Sequence, residues 1–155
     1  MKPVTIRREN LAAIVAQAER EFPYECCGFV IGDGPAEQAR PIRNIQNQKH
    51  ADDPANHPRD ARTAFIMDPK EHLAALEEVD RRKLPLKIVY HSHPDHDAYF
   101  SAEDRTQALG GWDEPNYPQA AQIVISVRGG EVRATKAFIW DAAQRDYVET
   151  SLVVE

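Results

Sequence analysis

Tyr90-His-Ser-His-Pro-Asp-His-Asp-Ala-Tyr-Phe-Ser-Ala-Glu-Asp104 follows directly on the short apolar run Leu86-Lys-Ile-Val-Tyr90. The β-branched and aromatic residues of that run predict a strand. Pro94 stops the strand and sends the chain away. Successive strand residues point to opposite faces, so His91 and His93, two apart, share a face and can chelate one ion. Ser101 then opens a short helix that stops at Gly110-Gly111. The first turn of that helix can come back to the histidines, so the remaining elements are read as support for this strand, loop and helix.

Zinc favours nitrogen ligands at about 2.0–2.1 Å, and a catalytic zinc keeps a water beside its protein ligands. The missing ligand should be a carboxylate, and Asp95, Asp97, Glu103 and Asp104 compete for the place. Asp104 is favoured because it lies in the first turn of the returning helix. The same residues have plainer explanations. Ser101-Ala-Glu-Asp104 also fits a capping box, although such boxes use Glu or Gln at the last position and Asp is slightly short. A His-x-His pair arises readily by chance in a chain with 6 histidines.

Metal-assisted hydrolysis also needs a base. Glu25 is the candidate, at the head of the nearly apolar strand Glu25-Cys-Cys-Gly-Phe-Val-Ile-Gly32. An unpaired carboxylate there is costly unless something uses it, and burial would raise its pKa toward neutrality. The alternative is a strand-end glutamate facing water. Gly28 within the strand predicts a close backbone approach.

Around these segments the chain predicts a mixture of strands and helices. A short strand at 4–7 precedes a helix marked by Leu11, Ile14, Val15, Ala18 and Phe22 and closed by Pro23. Residues 40–45 suggest a partner for the Glu25 strand. At 46–63 the apolar pattern fails, and the segment is read as a long loop, either a substrate gate or a surface insert. Residues 64–67 read as a short strand. Asp68-Pro69 is a helix start, with Leu73, Leu76 and Val79 on the buried side. A hairpin over 122–140 turns at Gly129-Gly130, and a last strand covers 147–154. Without regular strand–helix alternation, the fold class is α+β: one domain over residues 1–155, a mixed sheet flanked by helices.

Composition narrows the function. With 155 residues the chain fits one domain, and 42% hydrophobic with 28% charged residues is ordinary for a globular protein. A net charge of −6 repels phosphate backbones, so nucleic acid is not an expected partner. No apolar run reaches the roughly 20 residues of a membrane span. The start lacks the apolar core of a secretion signal. Cys26 and Cys27 are adjacent, where a disulfide would be strained, which suits a reducing cytoplasm.

Glu25, then His91-Ser92-His93-Pro94, then Ser101 and Asp104, together with Tyr24-Glu-Cys-Cys-Gly-Phe-Val-Ile-Gly32, resemble the JAMM (MPN-plus, JAB/MPN/Mov34) zinc metallopeptidase family. The pattern of that family is an upstream Glu, His-x-His, seven residues, Ser, two residues, Asp. The resemblance implies one zinc held by His91, His93 and Asp104, Glu25 as general acid/base, and Ser101 steadying the oxyanion. It implies an MPN, cytidine-deaminase-like fold. Among subfamilies the chain is most similar to stand-alone bacterial members of the sulfur-carrier-protein cysteine hydrolase type. That similarity implies a small ubiquitin-like carrier, or a peptide tail, as substrate. A non-catalytic interaction module and a peptidase acting on cell-wall peptides are the competing readings. A nucleobase deaminase would need Pro-Cys-x-x-Cys, which Cys26-Cys27 does not supply. His96, in the loop after Pro94, is set outside the ligand set, and His50 and His57 are not expected to form a second metal site. Cys26 and Cys27 are expected as packing residues, and Trp112 and Trp140 as core or rim residues.

Overall fold

The computed structural model describes residues 2–155. Its centre is a six-stranded mixed sheet ordered β3 (Gln38–Ile42), β2 (Cys27–Ile31), β4 (Leu86–Pro94), β5 (Ala121–Arg128), β6 (Glu131–Asp141) and β7 (Asp146–Thr150). β4 and β5 run parallel, and β2 pairs antiparallel with both β3 and β4. The helices are α1 (Arg8–Glu21), α2 (Gln46–Asp52), α3 (Pro69–Arg82) and α4 (Ala102–Leu109). A separate parallel pair joins β1 (Val4–Ile6) to β8 (Leu152–Val154). The expected α+β class is the observed one.

The middle strands are covered on both faces, which is why they read as continuous apolar runs. Alternate residues go to opposite cores. Val30, Ile88, Tyr90, Ile123 and Ile125 pack with Ile14 and Ala18 of α1. Cys27, Phe29, Ile31 and Val89 pack with Ala75 of α3 on the other side. Gly28 is required where β2 crosses Tyr90, because a Cβ there would also lie 2.6 Å from the Arg40 carbonyl oxygen.

Several boundaries differ from expectation. The last strand breaks at Ser151, so β7 stays in the main sheet while β8 leaves to pair with β1. The partner of β2 is 38–42 rather than 40–45. Asp68 caps α3 by accepting from the Glu71 N–H, with Pro69 next, as read from the sequence. Its buried side, however, is set by Ala75, and Leu73 is 57% exposed. His72 is drawn inward instead, with its ring 5.3 Å from Phe29 and its Nε2 2.7 Å from Tyr117 Oη. One helical residue is a rotation of about 100°, so an inward His72 turns Leu73 out. Trp112 is 75% exposed, whereas Trp140 packs on Tyr147.

The largest difference is at 46–67. Residues 46–52 form α2, and 64–67 make one isolated bridge, Asn44 to Met67, rather than a strand. Polar side chains lace this region. Gln46 Nε2 donates to the Arg59 carbonyl at 2.8 Å, and Asn47 Oδ1 accepts from the Ala61 N–H at 2.8 Å. His50 Nδ1 lies 2.7 Å from the His57 carbonyl oxygen. Asn44 accepts from the Ile66 N–H and donates to the carbonyls of Ala64 and Glu25. Over 47–60 hydrogen bonds replace apolar burial, so hydrophobic periodicity carries no signal there, and apolar burial resumes with Ala61 and Phe65.

Candidate metal centre

β4 carries His91 and His93 onto the face of the sheet that meets α4. The Phe65 ring stacks on His91 with centroids 5.0 Å apart, and Tyr99 meets His93 edge-on at 5.3 Å. The first turn of α4 then brings in Asp104. Its Oδ1 lies 3.0 Å from His91 Nε2 and its Oδ2 3.1 Å from His93 Nε2. The two Nε2 atoms are 3.1 Å apart. Among the described residues this is the cluster of nitrogen and carboxylate donors close enough to share one ion.

The other carboxylates that competed with Asp104 are engaged elsewhere. Asp95 Oδ1 accepts from the Gly129 N–H at 3.0 Å, and Asp97 pairs with Arg128. Glu103 points away to Arg59 at 2.9 Å. His96 is exposed. Neither His50 nor His57 joins a donor cluster among the described residues.

The donor chemistry fits a cation. His93 Nδ1 is 2.8 Å from the Asp97 carbonyl oxygen, which can only accept, so Nδ1 carries a proton. His93 Nε2 then faces Asp104 Oδ2 and His91 Nε2, an arrangement that positive charge at its centre, from a proton or from a bound cation, would satisfy. Burial pushes the Asp104 carboxyl upward, but hydrogen bonding and charge from His91, hydrogen bonding from His93 and the Ser101 N–H hold it well below the usual carboxylate range. Ligand atoms on a tetrahedral zinc lie about 3.3 Å from each other, given bonds of about 2.0–2.1 Å. The observed 3.0–3.1 Å separations are close to that edge. His91 Nδ1, by contrast, is buried without a hydrogen-bond partner among the described residues.

Ser101 and Asp104 form a complete capping box. Ser101 Oγ accepts from the Asp104 N–H, and Asp104 Oδ2 accepts from the Ser101 N–H, both at 3.0 Å. Aspartate is thus long enough for the box, contrary to expectation. The capping reading of Ser101 holds, and its hydroxyl proton is still available to donate.

Glu25 is 6% exposed, so the reading of a glutamate facing water fails. Its N–H donates to the Ala61 carbonyl at 2.7 Å and its carbonyl accepts from Asn44 at 2.9 Å. Cys27 is paired with His91, and Ser92 bonds both backbone groups of Cys26. Glu25 stands two residues before β2, near enough to Asp104 for the two charges to interact. Burial, with the charge of Asp104 added and that of Arg59 opposing, pushes the Glu25 carboxyl up to about 9. Cys26 and Cys27 are buried and free, as expected of packing residues.

Sequence reading missed Phe65, which lies over His91, and Asn44, which ties the Glu25 backbone to the same segment. Phe65 stood out only as an apolar residue in an assumed strand. Asn44 gave no signal, because its partners lie 19 and 20 residues away.

Comparison with known proteins agrees with this architecture. A family profile described as "Prokaryotic homologs of the JAB domain" matches residues 7–141. The CysO-cysteine peptidase of Mycobacterium tuberculosis (strain ATCC 25618 / H37Rv) is 30% identical over 128 residues, covering 81% of this chain and 74% of that protein. Tail tip assembly protein K of Escherichia phage N15 is 28% identical over 127 residues, covering 80% of this chain but 45% of the phage protein. A Desulfitobacterium hafniense protein solved in solution shares the fold, with a TM-score of 0.70 at 22% identity over 98% of this chain and 92% of that one. With its profile matched from Arg7 to Asp141, across the strands and helix that carry the cluster, this chain belongs to the prokaryotic JAB-domain family.

Proposed function

We propose that the chain is a zinc-dependent metallopeptidase that hydrolyses a peptide or isopeptide bond at the C-terminal tail of a small ubiquitin-like sulfur-carrier protein. The observation that carries this reading is the convergence of His91, His93 and Asp104 beside a buried Glu25 in a JAB-family chain. The similarity to a CysO-cysteine peptidase supports the substrate class. Free Cys26 and Cys27 suit a cytoplasmic location, and no described helix is long and apolar enough to cross a membrane. We take residues 1–155 to work as one domain.

Zinc held by His91, His93 and Asp104 would supply a Lewis acid that acidifies water and polarises a carbonyl. The protein does the rest. Asp97 fixes the His93 ring through Nδ1, so Nε2 keeps its lone pair on the site. Ser101 holds Asp104 in place by the reciprocal cap. The high proton affinity of Glu25 lets it take the proton of the attacking water and return it to the leaving amine. A bound cation would lower that affinity toward neutrality. Ser101 Oγ–H donates to the carbonyl oxygen as charge develops there, a role worth about 3 kcal/mol for one donor. Phe65 and Tyr99 shield the imidazoles from water.

The test is incubation of the zinc-loaded chain with ubiquitin-like carriers bearing tail extensions, read by mass. Release of the extension at one bond supports the reading. Cleavage of cell-wall peptides alone would replace the substrate class, and no hydrolysis of either by zinc-loaded protein would leave an interaction module.

A further inference from the structure

Residues 95–97 lie exposed between the buried Pro94 and Ala98, so no burial of their own side chains holds them. Yet the Asp97 carbonyl oxygen of this stretch lies 2.8 Å from His93 Nδ1. The same oxygen accepts from the Tyr99 N–H at 3.0 Å, which uses its second lone pair. An exposed loop with few buried contacts opens at low free-energy cost. If His93 is to keep one ring orientation, something else must keep that carbonyl in place.

The restraint comes from β5 and the turn after it. β5 runs parallel to β4, with Ser126 paired to His93. Ser126 is buried, and its Oγ donates to the His96 carbonyl. The Val127 carbonyl accepts from the Asp95 N–H at 2.6 Å. The Arg128 guanidinium is forked: Nη1 donates to the Asp95 carbonyl at 2.9 Å, and Nη2 donates to Asp97 Oδ1. Asp95 Oδ1 accepts from the Gly129 N–H at 3.0 Å. Each residue of 95–97 is thus tied to β5 or its turn. Asp95 has a φ of 57°, in the left-handed region that is costly for a residue with a side chain. Bonds to its N–H, its carbonyl and its carboxylate keep it there. The register of β5 on β6 also shifts between Ser126 and Val127, an irregularity of the kind that re-aims side chains beside sites.

The Arg128 fork matters for geometry more than for energy. The Arg128 side chain is 45% exposed and that of Asp97 85%, and an exposed ion pair contributes little stability by itself. Its two arms grip both ends of the three-residue stretch, the second of them on the residue whose carbonyl meets His93. We propose that Ser126 and Arg128 are positioning residues for His93: by clamping Asp95-His96-Asp97 they hold the Asp97 carbonyl on Nδ1 and so aim Nε2 at the ion. This inference rests on the zinc reading of the cluster.

Zinc affinity of the full chain, measured by competition with a chelator, tests this. Removing an outer partner of a metal-bound histidine weakens binding by about 10–100-fold, so Ser126→Ala and Arg128→Ala should each lose about tenfold or more. Arg128→Lys keeps the charge without the fork and should lose nearly as much. Ser126→Thr keeps the hydroxyl and should stay within about threefold of the wild type. Arg40→Ala breaks the forked pair with Glu78 between β3 and α3, and should change affinity by less than about twofold. A second readout reports on the ring itself. The His93 Nδ1 proton, followed by NMR, should exchange with water at least about tenfold faster in Ser126→Ala and Arg128→Ala, and at the wild-type rate in Arg40→Ala. Unchanged affinity in both variants, or an equal loss in Arg40→Ala, would overturn the proposal and leave the zinc reading standing. Faster proton exchange with unchanged affinity would overturn it too, because the ring would then be loosened without effect on the ion. If Ser126→Ala does not fold, Arg128→Ala, a change at a surface side chain, decides. If the wild type binds no zinc, the zinc reading fails, and proton exchange in the metal-free variants still decides whether the clamp holds the ring.

Discussion

Ser101 and Asp104 hold each other twice, through Ser101 Oγ to the Asp104 N–H and through Asp104 Oδ2 to the Ser101 N–H, each at 3.0 Å. One serine therefore both begins α4 and aims a carboxylate, and the two roles are separable by substitution. Ser101→Ala should cost about 1 kcal/mol of stability through the lost cap, and Ser101→Gly only a few tenths. Both remove the hydroxyl donor, so both should lower kcat by about 100-fold or more. Urea denaturation beside steady-state kinetics checks this; activity that tracks stability across the two variants would leave Ser101 a cap alone.

Glu25→Gln keeps the shape of the side chain and removes its ability to carry a proton. Hydrolysis should fall by about 10²–10⁴-fold while zinc stays bound in stoichiometric amount. Elemental analysis and product mass measure the two separately. Undiminished turnover would remove Glu25 from the reaction.

The metal-free protein should show two opposite pH dependences. Folding raises the Glu25 carboxyl from 4.5 to about 9, so the folded state binds more protons than the unfolded one across that window. Stability should fall as pH rises through it and level off above. Asp104 is shifted down from 3.8, so its contribution is complete above that value and is lost as pH drops below it. In thermal melts of metal-free protein, Glu25→Gln should abolish the first trend and leave the second.

Asn44→Ala should destabilise the fold by about 1–3 kcal/mol, because it leaves the Glu25 and Ala64 carbonyls without their donor. Hydrogen exchange should rise first at Ile66, whose N–H loses its acceptor. A variant with unchanged exchange there would show that the Phe65 segment is held by packing alone.

The parts legible from sequence are those where a local period or cap decides geometry. His91 and His93 sit two apart on a strand, and the Ser101 cap returns Asp104 to them. Glu25 stood at the head of an apolar strand, but only the pairing of β2 with β4, as in Cys27 with His91, brings that end of the strand to the cluster. Excluding Asp95 and Asp97 needed Gly129 and Arg128, 34 and 31 residues away in the chain. The hidden parts are the polar lacing of 46–67 and the inward turn of His72, both set by single distant partners.

The lacing of 46–67 has a thermal consequence. A segment held by hydrogen bonds such as Gln46 to Arg59 and Asn47 to Ala61, with little hydrocarbon beneath it, opens locally at lower free-energy cost than the sheet. Through Ala61 and Asn44 that segment also holds the backbone of Glu25. On warming, Glu25 should come loose while both histidines stay fixed on β4. Under the proposed peptidase reading, hydrolysis would then stop while the sheet is still folded and His91, His93 and Asp104 are still together, and would return on cooling.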